Sequence, residues 1–152
     1  MRKFQFKLQS LLKYKRHLEQ VAKQEMAQAV ADVLACEQRI IELKKDRISA
    51  MDLLDSLVEK GMGAGQFNRY RQFITTTDQM IHLERNRQTE LEKILDEKRE
   101  TLKQKTIDKK ALERLREKKD REYTHEMIRE EQKSLDEMTS LKTAREVNNE
   151  RT

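Results

Sequence analysis

The apolar residues in the first third of the chain recur at alternating steps of four and three. We call this pattern the heptad stripe; its members are Ala22, Met26, Ala29, Val33, Cys36, Ile40, Leu43, Ala50, Leu54 and Leu57. Arg47 stands between Leu43 and Ala50, at a position where the spacing would place an apolar residue. A heptad pattern that lasts about five repeats predicts a helix packed against another helix.

Earlier apolar residues extend the stripe towards the N-terminus with a shift of phase before Met26. They are Phe4, Leu8, Leu11 and Leu18. The pattern therefore predicts a first helix from near residue 5 to Lys60.

The chain has no proline, and its three glycines all lie in the segment GMGAG, residues 61–65. Because glycine permits sharp changes of chain direction, we predict a reversing loop over residues 61–66. A phosphate-binding loop would need a lysine and a hydroxyl residue after the glycines, and neither follows here. The segment is interpreted as a connection between two helices.

Heptad spacing resumes after the glycines and predicts a second helix over residues 67–148. The stripe positions there are Phe67, Tyr70, Ile74, Thr77, Ile81, Leu91, Leu95 and Leu102, with the polar Glu84, Gln88 and Lys98 between them. Farther along, Leu112, Leu115, Ile128, Leu135, Met138 and Leu141 keep helical spacing but no single register. We expect this distal part to pair less tightly.

Two long helices joined by a short loop pack antiparallel, and the alanines of the first helix allow a close approach. The predicted fold is all-α, a single antiparallel coiled-coil hairpin over residues 1–152. If pairing starts at the loop, residue numbers across the interface add to about 126. The first helix then ends opposite Lys119, and residues 120–148 overhang without a partner in the chain.

Composition favours this elongated fold over a globule or a disordered chain. Charged residues make up 40% of the chain and hydrophobic residues 36%, which is too little apolar surface for a deep core. The recurring aliphatic residues and the missing proline argue against disorder. A single cysteine fits a reducing compartment, and no apolar run approaches the length of a membrane span. We expect a soluble protein without direct membrane insertion.

Charge is unevenly distributed along the chain. Residues 1–18 carry six basic and no acidic side chains, and residues 98–121 carry eleven basic and five acidic ones. Antiparallel pairing brings these segments to the same end, whereas residues 122–150 carry four basic and eight acidic side chains. The basic end is interpreted either as a solvated surface or as a docking site for an acidic protein partner. Nucleic acid is a weaker alternative for this end, because aromatic interleaving and any reader motif are absent, and we expect no nucleic-acid partner.

No pattern of catalytic residues is evident. Glu126 follows His125, but Arg129 stands where the zinc motif H-E-x-x-H needs its second histidine. His125 with Glu122 and Glu126 is a weak metal candidate, and a solvated surface histidine is the simpler interpretation. Cys36 lies in the heptad stripe, so a packing role is favoured over a reactive thiol. Because two helices enclose no pocket, we expect neither enzymatic activity nor a cofactor.

Several large apolar side chains lie one position away from the stripe. They are Leu34, Ile41 and Ile48 on the first helix and Phe73 and Met80 on the second. Such residues either widen the helix interface or form an exposed patch for a partner. Both interpretations stay open at the level of sequence.

Three ordered segments resemble the FliJ family of flagellar type III export proteins. They are FQFKLQSLLKYKRHLEQ near the N-terminus, RYRQFITTTDQMI after the loop and LERLREKKDREYTHEMIREEQKSLDEM in the distal part. The E-Q-K-x-L-D-E run, residues 131–137, is the most specific of these matches. The injectisome stalk proteins are similar in shape and remain an alternative.

The resemblance implies a non-enzymatic coiled coil, similar to the central stalk of rotary ATP synthases. It implies a cytoplasmic protein at the flagellar base, peripherally associated with the inner face of the cell membrane. The implied partners are the hexameric export ATPase, its regulator, the cytoplasmic domain of the membrane export gate, and export chaperones. A structural coiled coil that only oligomerises is the second hypothesis.

Candidate contact residues follow from the resemblance and the off-stripe pattern together. For the export gate they are Phe73, Thr77 and Met80, with Ile41 and Ile48 added from the first helix; Glu84 aligns with them but departs in charge. For the ATPase ring, the end that holds both termini is implied to insert. Its candidate residues are Lys13, Arg16, Arg116, Lys119, Ile128, Leu135 and Met138.

Overall fold

The computed structural model describes residues 2–152, which form two long helices and no strand. Helix α1 covers Gln9–Lys60 and helix α2 covers Ala64–Glu150. The helices pack against each other, which confirms the predicted all-α hairpin. Residues 2–8 precede α1 without forming a regular helix, so α1 begins four residues later than predicted.

Contacts divide the chain into two compact units. One unit comprises Leu18–Lys105, and the other comprises the residues up to His17 together with Thr106–Thr152. The prediction of one hairpin domain over the whole chain stays a prediction, and the units are described separately below.

The unit of residues 18–105 is held together by the heptad stripe. Its buried apolar residues are Ala22, Ala29, Val33, Cys36, Ile40, Leu43 and Ala50 on α1 and Ile81 and Leu95 on α2. Most of the α1 members are small or medium-sized, which allows the two backbones to approach closely. The sequence prediction for this interface is confirmed.

Polar contacts across this unit give its register. Nζ of Lys98 lies 3.1 Å from Oε2 of Glu25, and Arg47 pairs with Asp78. Arg47 can therefore occupy a stripe position because its guanidinium pairs with the carboxylate of Asp78. Both pairs fit an antiparallel register in which residue numbers add to about 126.

The N-terminal part of the stripe differs from the prediction. Leu12 is fully buried, whereas Leu8 is 39% exposed and Leu11 is 41% exposed. The prediction that Leu8 and Leu11 belong to the stripe is therefore wrong. Counting back from Ala22 in steps of three and four leads to Leu12 without any shift of phase.

The two stripe positions between Leu12 and Ala22 carry polar residues, so the continuity is not evident from the apolar residues alone. Lys15 is half-buried and Glu19 is only 5% exposed. The carboxylate of Glu19 lies 3.3 Å from Nζ of Lys23, so its charge has a nearby counterion. Long charged side chains can occupy such positions because their aliphatic stems pack while their charged groups find partners.

The connection between the helices is shorter than predicted. Helix α1 ends at Lys60 and α2 begins at Ala64, so residues 64–66 are helical rather than part of the loop. Gly61 adopts a φ of 89°, and its N–H donates to the carbonyl of Val58 at 3.2 Å. The left-handed residue ends α1 in the manner of a glycine C-cap.

In the other unit, the N-terminal segment packs against α2. The rings of Phe4 and Tyr123 lie 5.7 Å apart, and the Tyr123 hydroxyl donates to the carbonyl of Arg2. Met127 is half-buried, and every residue from Ile128 to Thr152 is exposed.

Packing in this unit therefore continues beyond residue 120, where the overhang was predicted to begin. The non-helical residues 2–8 account for this difference, because Phe4 and Arg2 contact Tyr123 on α2.

Candidate partner-binding surfaces

The first candidate surface lies beside Phe73 in the unit of residues 18–105. Phe73 is 50% exposed, because it stands one position before the stripe residue Ile74 and points away from the helix interface. It borders an open, mainly apolar groove between the helices. The residues lining this groove are Asp46, Ser49, Ala50, Leu53, Arg69, Tyr70 and Phe73.

Neighbouring apolar residues extend this surface along α2. Met80 lies seven residues after Phe73, which places it on the same side of the helix, and it is 45% exposed. Leu83 is exposed one turn farther on, and Leu53 is exposed on α1. We call the set Leu53, Phe73, Met80 and Leu83 the Phe73 face.

Thr77 does not belong to this exposed surface. Its side chain is only 3% exposed, and its hydroxyl donates to the carbonyl of Phe73 at 2.9 Å. The residue occupies a stripe position, where it faces α1. The prediction that Thr77 contacts the gate stays a prediction, and in this structure its side chain lies in the helix interface.

Glu84 is also engaged in the helix interface. The thiol of Cys36 donates to the Glu84 carbonyl at 3.3 Å and to its carboxylate at 3.5 Å. Burial raises the pKa of the Cys36 thiol, and the hydrogen bond to Glu84 raises it further. A raised pKa keeps the thiol neutral, which agrees with a packing role for Cys36.

Ile48 lies on the other side of the helix pair from Phe73. It borders a second groove, which we call the Ile48 groove, lined by Lys44, Arg47, Ile48, Asp78, Ile81, His82 and Arg85. This groove shares no residue with the one beside Phe73. Residues that follow a heptad position and residues that precede one point to opposite flanks of the interface.

Ile41 lies seven residues before Ile48 and shares its side of α1. The structure therefore does not bring Ile41 and Ile48 together with Phe73 and Met80, and the prediction that all four bind the gate stays a prediction. The four residues are exposed, but they belong to two separate faces.

The candidate ATPase-binding residues all lie in the unit that contains both termini. Lys13 and Arg116 are exposed, and Arg16 lies 3.4 Å from the carboxylate of Glu113. These positions leave several cationic groups at the surface. The sequence prediction of a basic surface agrees with this exposure.

Lys119 borders a groove that sequence analysis did not predict. Its Nζ lies 3.4 Å from the carboxylate of Glu122. The groove is lined by the segment Phe4–Leu8 and by Leu115, Lys119, Glu122, Tyr123 and Glu126. Only the aromatic content of the N-terminal segment could have indicated it, because residues 2–8 carry no helical periodicity.

The tail, residues 128–152, exposes its apolar side chains. Ile128 is 53% exposed, Leu135 is 61% exposed and Met138 is 66% exposed. A shallow groove beside Leu135 is bordered by Glu130 and Glu131. The tail thus combines an unpaired apolar stripe with acidic neighbours.

Two further possibilities raised by the sequence concern a metal site near His125 and segments that could span a membrane. Within residues 2–152, no three histidine, cysteine, aspartate or glutamate side chains converge as a metal site, so the His125 cluster is not supported. In that same range, neither helix contains a stretch sufficiently long and apolar to cross a membrane.

Comparison with known proteins identifies the family. The family model for the flagellar FliJ protein matches residues 4–148. The Flagellar FliJ protein of Bacillus subtilis (strain 168) is 26% identical over 140 residues, which cover 90% of this chain and 92% of the relative. No solved structure matches significantly. Because the family match spans nearly the whole chain, this protein belongs to the FliJ family of flagellar export proteins.

Proposed function

We propose that the chain is a non-enzymatic component of the flagellar type III export apparatus that binds two partners. The Phe73 face binds the cytoplasmic domain of the membrane export gate, and the unit containing both termini binds the export ATPase ring. The observation that carries the proposal is the exposure of apolar surfaces in two different units.

The Phe73 face has the composition of a protein-binding surface. Aromatic and methionine side chains are enriched at interfaces, and Phe73 and Met80 are half-exposed one heptad apart. Docking of a partner would remove this apolar surface from water, which stabilises a complex. Arg69 and Asp46 at the edge of the groove supply polar contacts.

The tail supports the second contact. Its apolar residues Ile128, Leu135 and Met138 have no covering side chains, and insertion into a ring would bury them. The cationic Lys13 and Arg116 lie in the same unit and can attract an acidic ring surface.

Binding through the Phe73 face and through the unit that contains both termini would let this chain couple the gate and the ATPase without catalysing a reaction itself. A partner that binds some states of the ATPase subunits more tightly than others shifts the ring towards those states. If gate binding changes the affinity of this chain for the ring, linkage requires that ring binding changes its affinity for the gate by the same factor. The proposal includes the ATPase regulator and export chaperones as further partners, and a position at the inner face of the cell membrane.

Gate binding is tested with the double variant Phe73→Ala and Met80→Ala. Because both side chains belong to the proposed contact, we expect its affinity for the purified gate domain to fall about tenfold or more. The matched control is Ile41→Ala with Ile48→Ala, which removes similar apolar groups from the opposite face. Calorimetric titration measures both; equal affinity loss in the two variants would contradict the assignment to the Phe73 face.

ATPase binding is tested by removing the tail after Met127, which retains the half-buried Tyr123 and Met127. We expect stimulation of ATP hydrolysis by the purified export ATPase to be lost. A full-length variant with Ile128→Ser, Leu135→Ser and Met138→Ser should lose it too. Replacing Lys133 and Ser140, which lie on the opposite side of the tail, should preserve it; normal stimulation by the truncated chain would refute this contact.

The tail also favours a second candidate function, a purely structural oligomer, because an unpaired apolar stripe can pair with its own copy. Sedimentation analysis separates the two functions. An obligate dimer that binds neither ATPase nor gate would favour the structural role.

A further inference from the structure

The Ile48 groove has no role in the function proposed above, yet its charge is distinctive. Asp78 neutralises Arg47 through their ion pair. Among the ion pairs of residues 2–152, none involves Lys44 or Arg85, which line the same groove. The groove therefore presents two cationic side chains whose charge is not matched by a carboxylate.

An apolar ridge runs along the α1 side of this groove. Leu34, Ile41 and Ile48 follow one another at seven-residue intervals and are 58%, 47% and 57% exposed. The spacing places them on one side of α1, about 10.5 Å apart along the helix. A groove that combines an apolar ridge with cationic side chains suits an acidic amphipathic helix.

The tail of this chain has the matching pattern. Ile128 and Leu135 are also seven residues apart, so their spacing equals that of Ile41 and Ile48. Glu130 and Glu131 border the surface around Leu135. Over residues 122–150 the acidic side chains outnumber the basic ones by eight to four, the opposite sign to the groove.

We propose that the tail of one molecule docks in the Ile48 groove of a second copy. Ile128 and Leu135 pack against the ridge of Ile41 and Ile48, and the tail carboxylates approach Lys44 and Arg85. The occupant is a second copy because α2 is one uninterrupted helix, and a helix cannot fold back on itself. A docked tail is not free to enter another protein, so self-association competes with any partner of the tail.

The test exchanges the charges of the two surfaces in the full-length chain. A groove variant carries Lys44→Glu and Arg85→Glu, and a tail variant carries Glu130→Lys and Glu131→Lys. Sedimentation velocity over a range of concentrations should show association of the unaltered chain that weakens as salt rises. Each variant alone should associate about tenfold or more weakly, because like charges then face each other.

The mixture of the two variants provides the decisive measurement. The acidic groove of one chain now meets the basic tail of the other, so association should return in the mixture although each variant alone is impaired. A control with Lys93→Glu and Lys103→Glu makes the same change of charge outside the groove and should associate normally. Circular dichroism and melting temperature verify that each variant is folded.

Three results would overturn the proposal. The unaltered chain could stay monomeric at every concentration, the groove variant could associate normally, or the mixture could fail to associate. Tail-to-tail pairing would give the second result, since it needs the tail but not the groove. None of these three results would contradict the proposed gate and ATPase contacts, which the assays above test separately.

Discussion

Leu11 and Leu12 are adjacent in α1, but only Leu12 is fully buried. Leu12→Ala removes buried side-chain atoms and leaves a cavity, so we expect the free energy of unfolding to fall by about 2–5 kcal/mol. Leu11→Ala leaves the interface intact and should change it by about 0.5 kcal/mol or less. Urea denaturation followed by circular dichroism measures both values. Equal losses in the two variants would contradict the stripe that passes through Leu12.

Thr77 shows how two lines of sequence reasoning can disagree about one residue. Heptad spacing placed it in the stripe, whereas alignment to the family placed it on the gate surface. Its 3% exposure agrees with the spacing. Periodicity was the better guide because the position of a residue in a helix fixes the direction in which its side chain points.

At the level of elements, the connection between α1 and α2 distinguishes glycines that look alike in sequence. Gly61 has a φ of 89°, whereas Gly65 lies in the first turns of α2. Gly61→Ala forces a side chain into the left-handed region and should destabilise the protein by about 1–2 kcal/mol. Gly65→Ala meets no atom within 4 Å, and we expect it to stabilise the protein by about 0.5–1 kcal/mol.

Thermal melting of the two glycine variants measures these changes, with the unaltered chain as reference. The signs should be opposite, since one residue ends a helix and the other belongs to one. A stabilising Gly61→Ala would show that the chain does not need a left-handed residue there.

The residues of the helix interface were predictable where the heptad spacing continued, even at positions that carry a polar residue. Glu84, Gln88 and Lys98 interrupt the apolar stripe of α2, and all three are half-buried at the predicted positions. Lys15 and Glu19 interrupt the apolar stripe of α1 in the same way, and both are at least half-buried. Because these two polar positions are consecutive in the stripe, the sequence resembles one with a shift of phase, and the predicted N-terminal part was wrong.

The surfaces were less predictable than the helices. The exposure of Phe73 and Ile48 could be predicted from their positions beside the stripe. Their separation into two faces depends on a further distinction, because Phe73 precedes its stripe position whereas Ile48 follows one. The contact between Phe4 and Tyr123 had no periodic signal, because residues 2–8 are not helical. Contacts made by an irregular segment depend on its particular path, which composition does not specify.

At the scale of the whole molecule, the tail is the part with the least tertiary support. From Ile128 to Thr152 each residue is exposed, and a helix without packing is only marginally stable in water. Trypsin should therefore cut first after Arg129, Lys133 or Lys142, because local opening exposes these bonds most often. Mass spectrometry of a digestion time course identifies the first fragments.

The control for this digestion is the chain that ends at Met127, which should resist trypsin under the same conditions for longer. Early cleavage within residues 18–105 of the full-length chain would contradict the expected order. Addition of a partner that covers the tail should slow the first cuts.

The exposed tail also has an evolutionary consequence. A buried residue such as Leu12 is constrained by folding, so its variation among homologues is limited whether or not a partner exists. Every side chain beyond Met127 is exposed, so folding constrains their identity much less than it constrains Leu12. Any residue that selection preserves there would record the chemistry of whatever the tail binds.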